Sequence, residues 1–181
     1  MVRAYAILAN GGYDVHPTLV RKIVKNNTVL LDHTVDHHSP QRIISQDKIE
    51  RLRESMRYTA QIGGTAKRGR ISGYTVAGKT GSSEKIVAGS YSKKTHISTF
   101  IGFAPVKDPR FVLLVVIDEP EYRYLPGVGK MHLGGACCAP CFAEIGKRVL
   151  EYLGIPKDDR EGRVWKEEVE KLKKLLEEWN R

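Results

Sequence analysis

The sequence predicts an α+β chain: an antiparallel sheet packed against N- and C-terminal helices, plus a C-terminal amphipathic helix. Three observations carry this. The β-rich runs HISTFIGFAP (96–105) and RFVLLVVIDEP (110–120) are separated only by the turn VKDP. They must pair antiparallel, because parallel strands need a crossover of about a dozen residues or more. Helix-like segments at 3–9 and 137–153 flank these strands in the chain. Finally, WKEEVEKLKKLLEEW spaces Trp165, Val169, Leu172, Leu176 and Trp179 alternately by four and three, the stripe of a helix that docks on its own body or a partner.

Taken in order, RAYAILA (3–9) reads as the last turns of a helix that Gly11–Gly12 ends. HPTLVRKIV and NTVLLDHTV follow, with Asn26–Asn27 as the polar turn of a hairpin. Ser45 can cap a helix over 47–61, in which Ile49, Leu52, Met56 and Ala60 recur every three or four residues. The Gly-rich basic loop IGGTAKRGRISG leads to YTVAGKTG, a strand that begins at Gly73. The two long runs above complete the sheet. The helix at 137–153 is ended by Gly154 and Pro156, and the charged tail 157–181 follows it.

With 181 residues, 41% hydrophobic and 28% charged, the chain suits one domain with a real core. No segment approaches the roughly 20 apolar residues that cross a bilayer. MVRAYAILANGG lacks the shape of a secretion signal, so no anchor is expected in this chain. The net charge is +9, and from residue 161 onward six basic side chains balance six acidic ones, so the excess lies in 1–160. A basic body favours an anionic partner. Its cations are dispersed, with KRGR (67–70) and SKK (92–94) the nearest to clusters, and no aromatic-interleaved basic stripe argues for nucleic acid.

Two groups invite a metal or redox reading. Cys137, Cys138 and Cys141 lie in GGACCAPCF, with His132 near in sequence. A zinc site needs four ligands. The alternatives are small buried cysteines of a helix, a disulfide (Cys138–Cys141 or intermolecular), or a metal. His33, His37 and His38 lie in a polar loop without tight ligand spacing and read as surface.

The stretch SGYTVAGKTGSSEK (72–85) matches two chemistries. From Gly73 to Thr80 it spells the G-x-x-x-x-G-K-T phosphate loop, and FVLLVVIDEP ends in Asp118–Glu119 as a magnesium-holding strand often does. That loop needs an apolar strand before its first glycine and a helix after its Lys-Thr. Here AKRGRIS precedes it and GSSEK follows, and Tyr74 to Ala77 are strand residues. The nucleotide reading therefore fails, and no cofactor is expected. Lys79, Thr80 and Gly81 spell K-T-G instead. An ammonium near a strand edge, flanked by the hydroxyls of Thr80, Ser82 and Ser83, suits a ligand carboxylate. Glycines let a substrate approach the backbone, where an exposed N–H can serve an oxyanion.

K-T-G is a box of penicillin-recognising serine enzymes. Together with AYAILANGG, GGTAKRG, GYTVAGKTGSSEK, YSKKTHISTFIGFAPVKDPRFVLLVVIDEP and GGACCAPCFAEIGKRVLEYLGIP, it makes the chain resemble the C-terminal part of a class B penicillin-binding protein. The resemblance runs almost continuously over 3–156. It implies part of the penicillin-binding, serine β-lactamase-like transpeptidase fold over 1–156. It also implies a peptidoglycan D,D-transpeptidase of cell division or elongation, on the periplasmic side of the membrane, where a disulfide is allowed. In this reading Lys79 and Thr80 hold the carboxylate of a stem peptide or β-lactam, and Gly81 keeps the strand open. The Ser82 hydroxyl assists, with Ser83 beside it, and the Ser82 N–H supplies half of the oxyanion hole.

The family's nucleophile is the Ser of an S-x-x-K box, assisted by an S-x-N box. This sequence has no S-x-N, and its three S-x-x-K strings, Ser45–Lys48, Ser82–Lys85 and Ser90–Lys93, fit no such role. The first opens a helix, the second overlaps the K-T-G box, and the third reads as a polar loop. The expectation is a fragment that lacks its nucleophile and is inactive alone, with the remainder of a transpeptidase domain and division or elongation proteins as partners. The competing expectation is a non-catalytic anion-binding or interaction module, with self-association through the 162–180 helix.

Overall fold

The computed structural model describes residues 1–33, 41–61 and 63–159, and the single positions 162 and 170. Helix α1 spans Val2–Ala9, and the chain leaves it through Gly11 and Gly12, whose φ values of 92° and 94° favour glycine. A β-hairpin follows, β1 (Lys22–Lys25) and β2 (Thr28–Asp32). Its turn residues Asn26 and Asn27 have φ of 48° and 59°, the left-handed pair that a tight hairpin turn requires. Helix α2 spans Gln46–Arg57. From it Arg53 reaches back to α1, donating to the carbonyls of Leu8 (2.9 Å) and Ala9 (2.8 Å) that the helix end leaves unpaired.

The central sheet has three antiparallel strands in the order β3 (Ala77–Val87), β4 (Ser90–Ala104) and β5 (Phe111–Asp118). Beyond it lie the short pair β6 (Tyr124–Leu125) and β7 (Gly129–Lys130), then helix α3 (Gly134–Tyr152). Strand alternation sends two sets of side chains to opposite faces. On one face Phe100 of β4 meets Phe142 of α3 edge-on, with ring centroids 4.8 Å apart. Both are fully buried, each contributing about 1.5–3 kcal/mol by burial. On the other face Ala77, Phe103 and Val106 pack with Tyr5 and Ala9 of α1 and Met56 of α2. The sheet thus lies between α1 and α2 on one side and α3 on the other.

Helix α3 carries Pro140 at the end of its second turn. Proline has no N–H, so the carbonyl four residues back, that of Ala136, loses its helical partner. Arg68 supplies the replacement, donating from Nη1 at 2.9 Å. That arginine sits in a single 3-10 turn, Lys67–Gly69, pressed so close that a Cβ on Gly69 would stand 3.3 Å from both Ala139 and Phe100.

The predicted α+β class and antiparallel sheet are present, and several boundaries differ. The strand expected from Gly73 begins at Ala77. Tyr74 and Thr75 bond elsewhere: the Tyr74 hydroxyl donates to the Ile155 carbonyl at 2.7 Å, and the Thr75 N–H donates to the Asp158 carboxylate at 2.8 Å. These contacts come from the segment after α3, and Tyr74 makes an isolated antiparallel bridge with Ile71 rather than joining β3. The polar loop expected around Ser90–Lys93 is instead the start of β4, paired with Ile86 and Val87 across a turn at Ala88 and Gly89. The helix expected to run to 61 ends at Arg57 in a 3-10 turn, Tyr58–Ala60. Helix α3 starts three residues earlier than expected, at Gly134. His37, His38 and, apart from positions 162 and 170, the helix expected over 162–180 lie outside the described residues.

Candidate carboxylate site on the edge strand

Strand β3 has β4 on one side and no strand on the other among the described residues. Alternate peptide groups of an edge strand face outward unpaired, ready for a ligand's backbone or oxyanion. The K-T-G residues sit in the middle of β3, in unbroken register: Lys79 opposite Ile101, Thr80 opposite Phe100, Gly81 opposite Thr99 and Ser82 opposite Ser98.

Thr80 and Ser82 face the α3 side, where they line a cleft of about 300 Å³ with Thr65, Lys67, Arg68 and Lys130. The Thr80 and Thr65 hydroxyls are 3.0 Å apart. The Ser82 hydroxyl donates to the Gly81 carbonyl at 2.8 Å and accepts from the Gly134 N–H at 2.9 Å, which ties the strand to the first residue of α3. By alternation Lys79, Gly81 and Ser83 lie on the opposite face. The Lys79 ammonium is exposed and donates to the Thr80 carbonyl at 2.7 Å, and among the described residues it has no carboxylate partner. An uncompensated cation on an open strand edge that also carries two hydroxyls suits a carboxylate.

Glycines bring these pieces together. A Cβ on Gly81 would stand 2.4 Å from Thr99 Oγ1, and one on Gly134 would stand 2.2 Å from the Thr99 carbonyl oxygen. A Cβ on Gly135 would fall 1.8 Å from the Thr65 carbonyl oxygen. Only glycine allows α3 to begin so near the strand. Thr65, Gly134, Gly135 and Lys130 were not singled out from the sequence. Thr65 lies within the GGTAKRG tract, which offered a signal through resemblance but no chemistry of its own.

The competing signatures resolve on the same geometry. Asp118 and Glu119 hold Lys85, each at 2.8 Å, and these bonds push the Lys85 ammonium above its ordinary range. Ser82 and Lys85 lie on one extended strand, about 10 Å apart along it, not adjacent as on a helix. Ser90 and Lys93 are separated in the same way on β4. Ser45 stands at the start of α2, where its hydroxyl bonds Asp47 and helps hold that carboxyl below the usual range.

All three cysteines are free thiols: Cys138 is buried, Cys137 half-buried and Cys141 exposed. Cys138 Sγ faces the Ser98 carbonyl at 3.2 Å, and burial pushes its thiol up to about 12. His132 joins no cysteine. Its ring stacks on Tyr122 (centroids 4.3 Å apart) and meets His96 at 4.6 Å, so π contacts occupy the residue considered as a ligand. No metal-holding group of three His, Cys, Asp or Glu occurs among the described residues, and no helix there is long and apolar enough to cross a membrane.

The edge strand bearing K-T-G thus has a glycine-led helix across one face and two helices on the other. Residues 1–145 match the family model of the penicillin binding protein transpeptidase domain, and the chain belongs to that family. It is similar to the probable peptidoglycan D,D-transpeptidase PenA of Neisseria flavescens, with 37% identity over 114 residues, covering 63% of this chain and 27% of that protein. It is also similar to stage V sporulation protein D of Bacillus subtilis, with 31% identity over 157 residues, covering 85% of this chain and 23% of that one. The chain therefore spans about a quarter of the length of these curated relatives.

Solved structures agree on the fold. The transpeptidase domain of Burkholderia pseudomallei penicillin-binding protein 3 superposes with a TM-score of 0.65 at 27% identity, covering 87% of this chain and 42% of that one. Penicillin-binding protein 3 of Mycobacterium tuberculosis, complexed with ampicillin, superposes with a TM-score of 0.71 at 24% identity, covering 86% of this chain and 34% of that one.

Proposed function

We propose that this chain supplies the carboxylate-binding edge of an acyl-serine D,D-transpeptidase that cross-links peptidoglycan and is blocked by β-lactams. The observation that carries the reading is Lys79, an ammonium with no carboxylate partner among the described residues, on an unpaired strand edge that also carries the hydroxyls of Thr80 and Ser82. The bound carboxylate is held by Lys79 and Thr80, with the Ser82 hydroxyl close by and Ser83 at the far end of the box. The acyl carbonyl then lies along the edge, where the Ser82 N–H donates to the oxyanion of the tetrahedral intermediate.

In this reading the nucleophilic serine and its lysine belong to another part of the enzyme, a view supported by the extended strands on which Ser82–Lys85 and Ser90–Lys93 lie. The active enzyme thus needs a further S-x-x-K and S-x-N bearing part, packed on the Lys79 face of β3, on the extracytoplasmic side of the membrane. Division or elongation proteins are its expected partners.

Fluorescent penicillin tests this directly. The isolated chain should remain unlabelled. A polypeptide joining it to an S-x-x-K and S-x-N bearing part should be labelled at the added serine, and Lys79→Ala should slow that acylation by about 10²-fold, the loss of one charge-assisted contact of 2–3 kcal/mol. Covalent labelling of this chain at one of its own serines would refute the assignment.

A further inference from the structure

A second cavity, larger than the K-T-G cleft, lies elsewhere on the chain. It holds about 420 Å³ and lies against the segment 70–76 that leads into β3, closed on one side by the residues after α3. Among the described residues its charged wall consists of Arg57, Lys67, Arg70 and Lys157, with Asp159 the one acidic residue lining it. Arg57 is already held by the Glu54 carboxylate at 3.0 Å. Lys67 and Lys157 have no ion pair among the described residues. The aliphatic stem of Lys157 lies across Gly73, where a Cβ would come within 2.6 Å of its Cδ.

A second, independent observation comes from Gln61. It lines the same cavity and is only 8% exposed, and its Nε2 is buried without a hydrogen-bond partner among the described residues. An amide N–H withdrawn from water and left unpaired costs about 1–3 kcal/mol, so folds rarely retain one without a use. Here Gln61, which carries the unmet donor, and the two lysines without ion pairs line one space. All three lack the same thing, an oxygen acceptor carrying negative charge.

We propose that this cavity is an oxyanion-binding site, separate from the K-T-G edge, for a small phosphate- or carboxylate-bearing molecule. Gln61 donates from Nε2 to one ligand oxygen, and Lys67 and Lys157 neutralise the charge. The volume lies within the range of small-molecule sites, at about 300–1,000 Å³. The K-T-G cleft shares only Lys67 with it, so the two sites can be filled by different molecules.

The test titrates the full chain with sodium pyrophosphate and, separately, with citrate at constant ionic strength, by calorimetry and thermal shift. Saturable binding of pyrophosphate identifies a phosphate ligand, and saturable binding of citrate a carboxylate. Gln61→Leu keeps the shape and removes the donor. It should leave the unliganded melting temperature unchanged or higher while weakening the bound anion about 10-fold or more, the loss expected for a hydrogen bond to a charged group. Lys157→Ala should weaken it by a similar factor, and Lys93→Ala, on β4 and not part of the cavity wall, should not. Failure of both anions to bind overturns the proposal, as does binding that survives unchanged in both Gln61→Leu and Lys157→Ala.

Discussion

Replacing Gly135 by alanine separates two opposing effects at the mouth of the K-T-G cleft. Alanine is the better helix former, by about 1 kcal/mol in a helix interior, and Gly135 is the second residue of α3. Against this, its Cβ would lie 1.8 Å from the Thr65 carbonyl oxygen and 3.0 Å from the carbonyl carbon. A carbon–oxygen contact normally stands at about 3.4 Å, so roughly 1.5 Å must be opened between two pieces of backbone. Neither piece is a flexible tip. Overpacking of this kind costs about 3 kcal/mol, the upper part of its usual range, and outweighs the propensity gain to leave a loss of about 2 kcal/mol. In a domain of this size that lowers the melting temperature by roughly 4–8 °C. The comparison is Gly127→Ala, where φ is 75° and nothing lies within 4 Å. It carries only left-handed backbone strain, about 1 kcal/mol, and a fall of roughly 2–4 °C. Circular dichroism melts of the three proteins decide the matter. If Gly135→Ala melts no lower than Gly127→Ala, the close seating of α3 on the 63–66 loop is not what holds the cleft in shape.

Two further outcomes follow from buried titratable groups. Burial first, then His96 and then Lys130 hold the His132 imidazole below its ordinary value. The unfolded chain therefore takes up more protons below about pH 6.5, so this contribution is complete above that pH and is lost as pH falls through the lowered native value. Urea melts between pH 7.5 and 5 should show that decline, and His132→Phe should flatten it; an unchanged slope would exclude His132 as the cause. Among the thiols, exposed Cys141 should react with iodoacetamide at pH 8 in the native protein. Cys138, buried and pushed up to about 12, should react only after denaturation, as peptide mass spectrometry would show. Equal rates at the two residues would mean that α3 does not shield Cys138.

The parts of the fold that could be read in advance were those that local chemistry fixes. The turn between 96–105 and 110–120 was too short for anything except an antiparallel pair, and Asn26–Asn27 suit the left-handed turn they form. The errors share a cause, which is a partner distant in sequence. Tyr74 and Thr75 have strand propensity, yet Ile155 and Asp158 claim their hydrogen bonds. Thr65 met Thr80 only through the fold, and the glycines at 134 and 135 look like a loop until α3 is seen resting on Thr99 and Thr65. Lys79, Thr80, Gly81 and Ser82 were legible because strand alternation and one tripeptide suffice to place them. The anion cavity was not legible, since Gln61, Lys67 and Lys157 are unremarkable residues that nothing in the sequence brings together.

The proline in α3 has a bearing on heredity. Pro140 touches no ligand in any reading given above, yet it opens the Ala136 carbonyl that occupies the Arg68 guanidinium. Arg68 is also a wall of the K-T-G cleft. Losing the proline would return that carbonyl to the helix and release a positive charge beside Thr80 and Ser82. Selection acting on the electrostatics of this cleft can therefore find its mutation in the backbone of a helix, at a position that a search confined to cleft-lining residues would pass over.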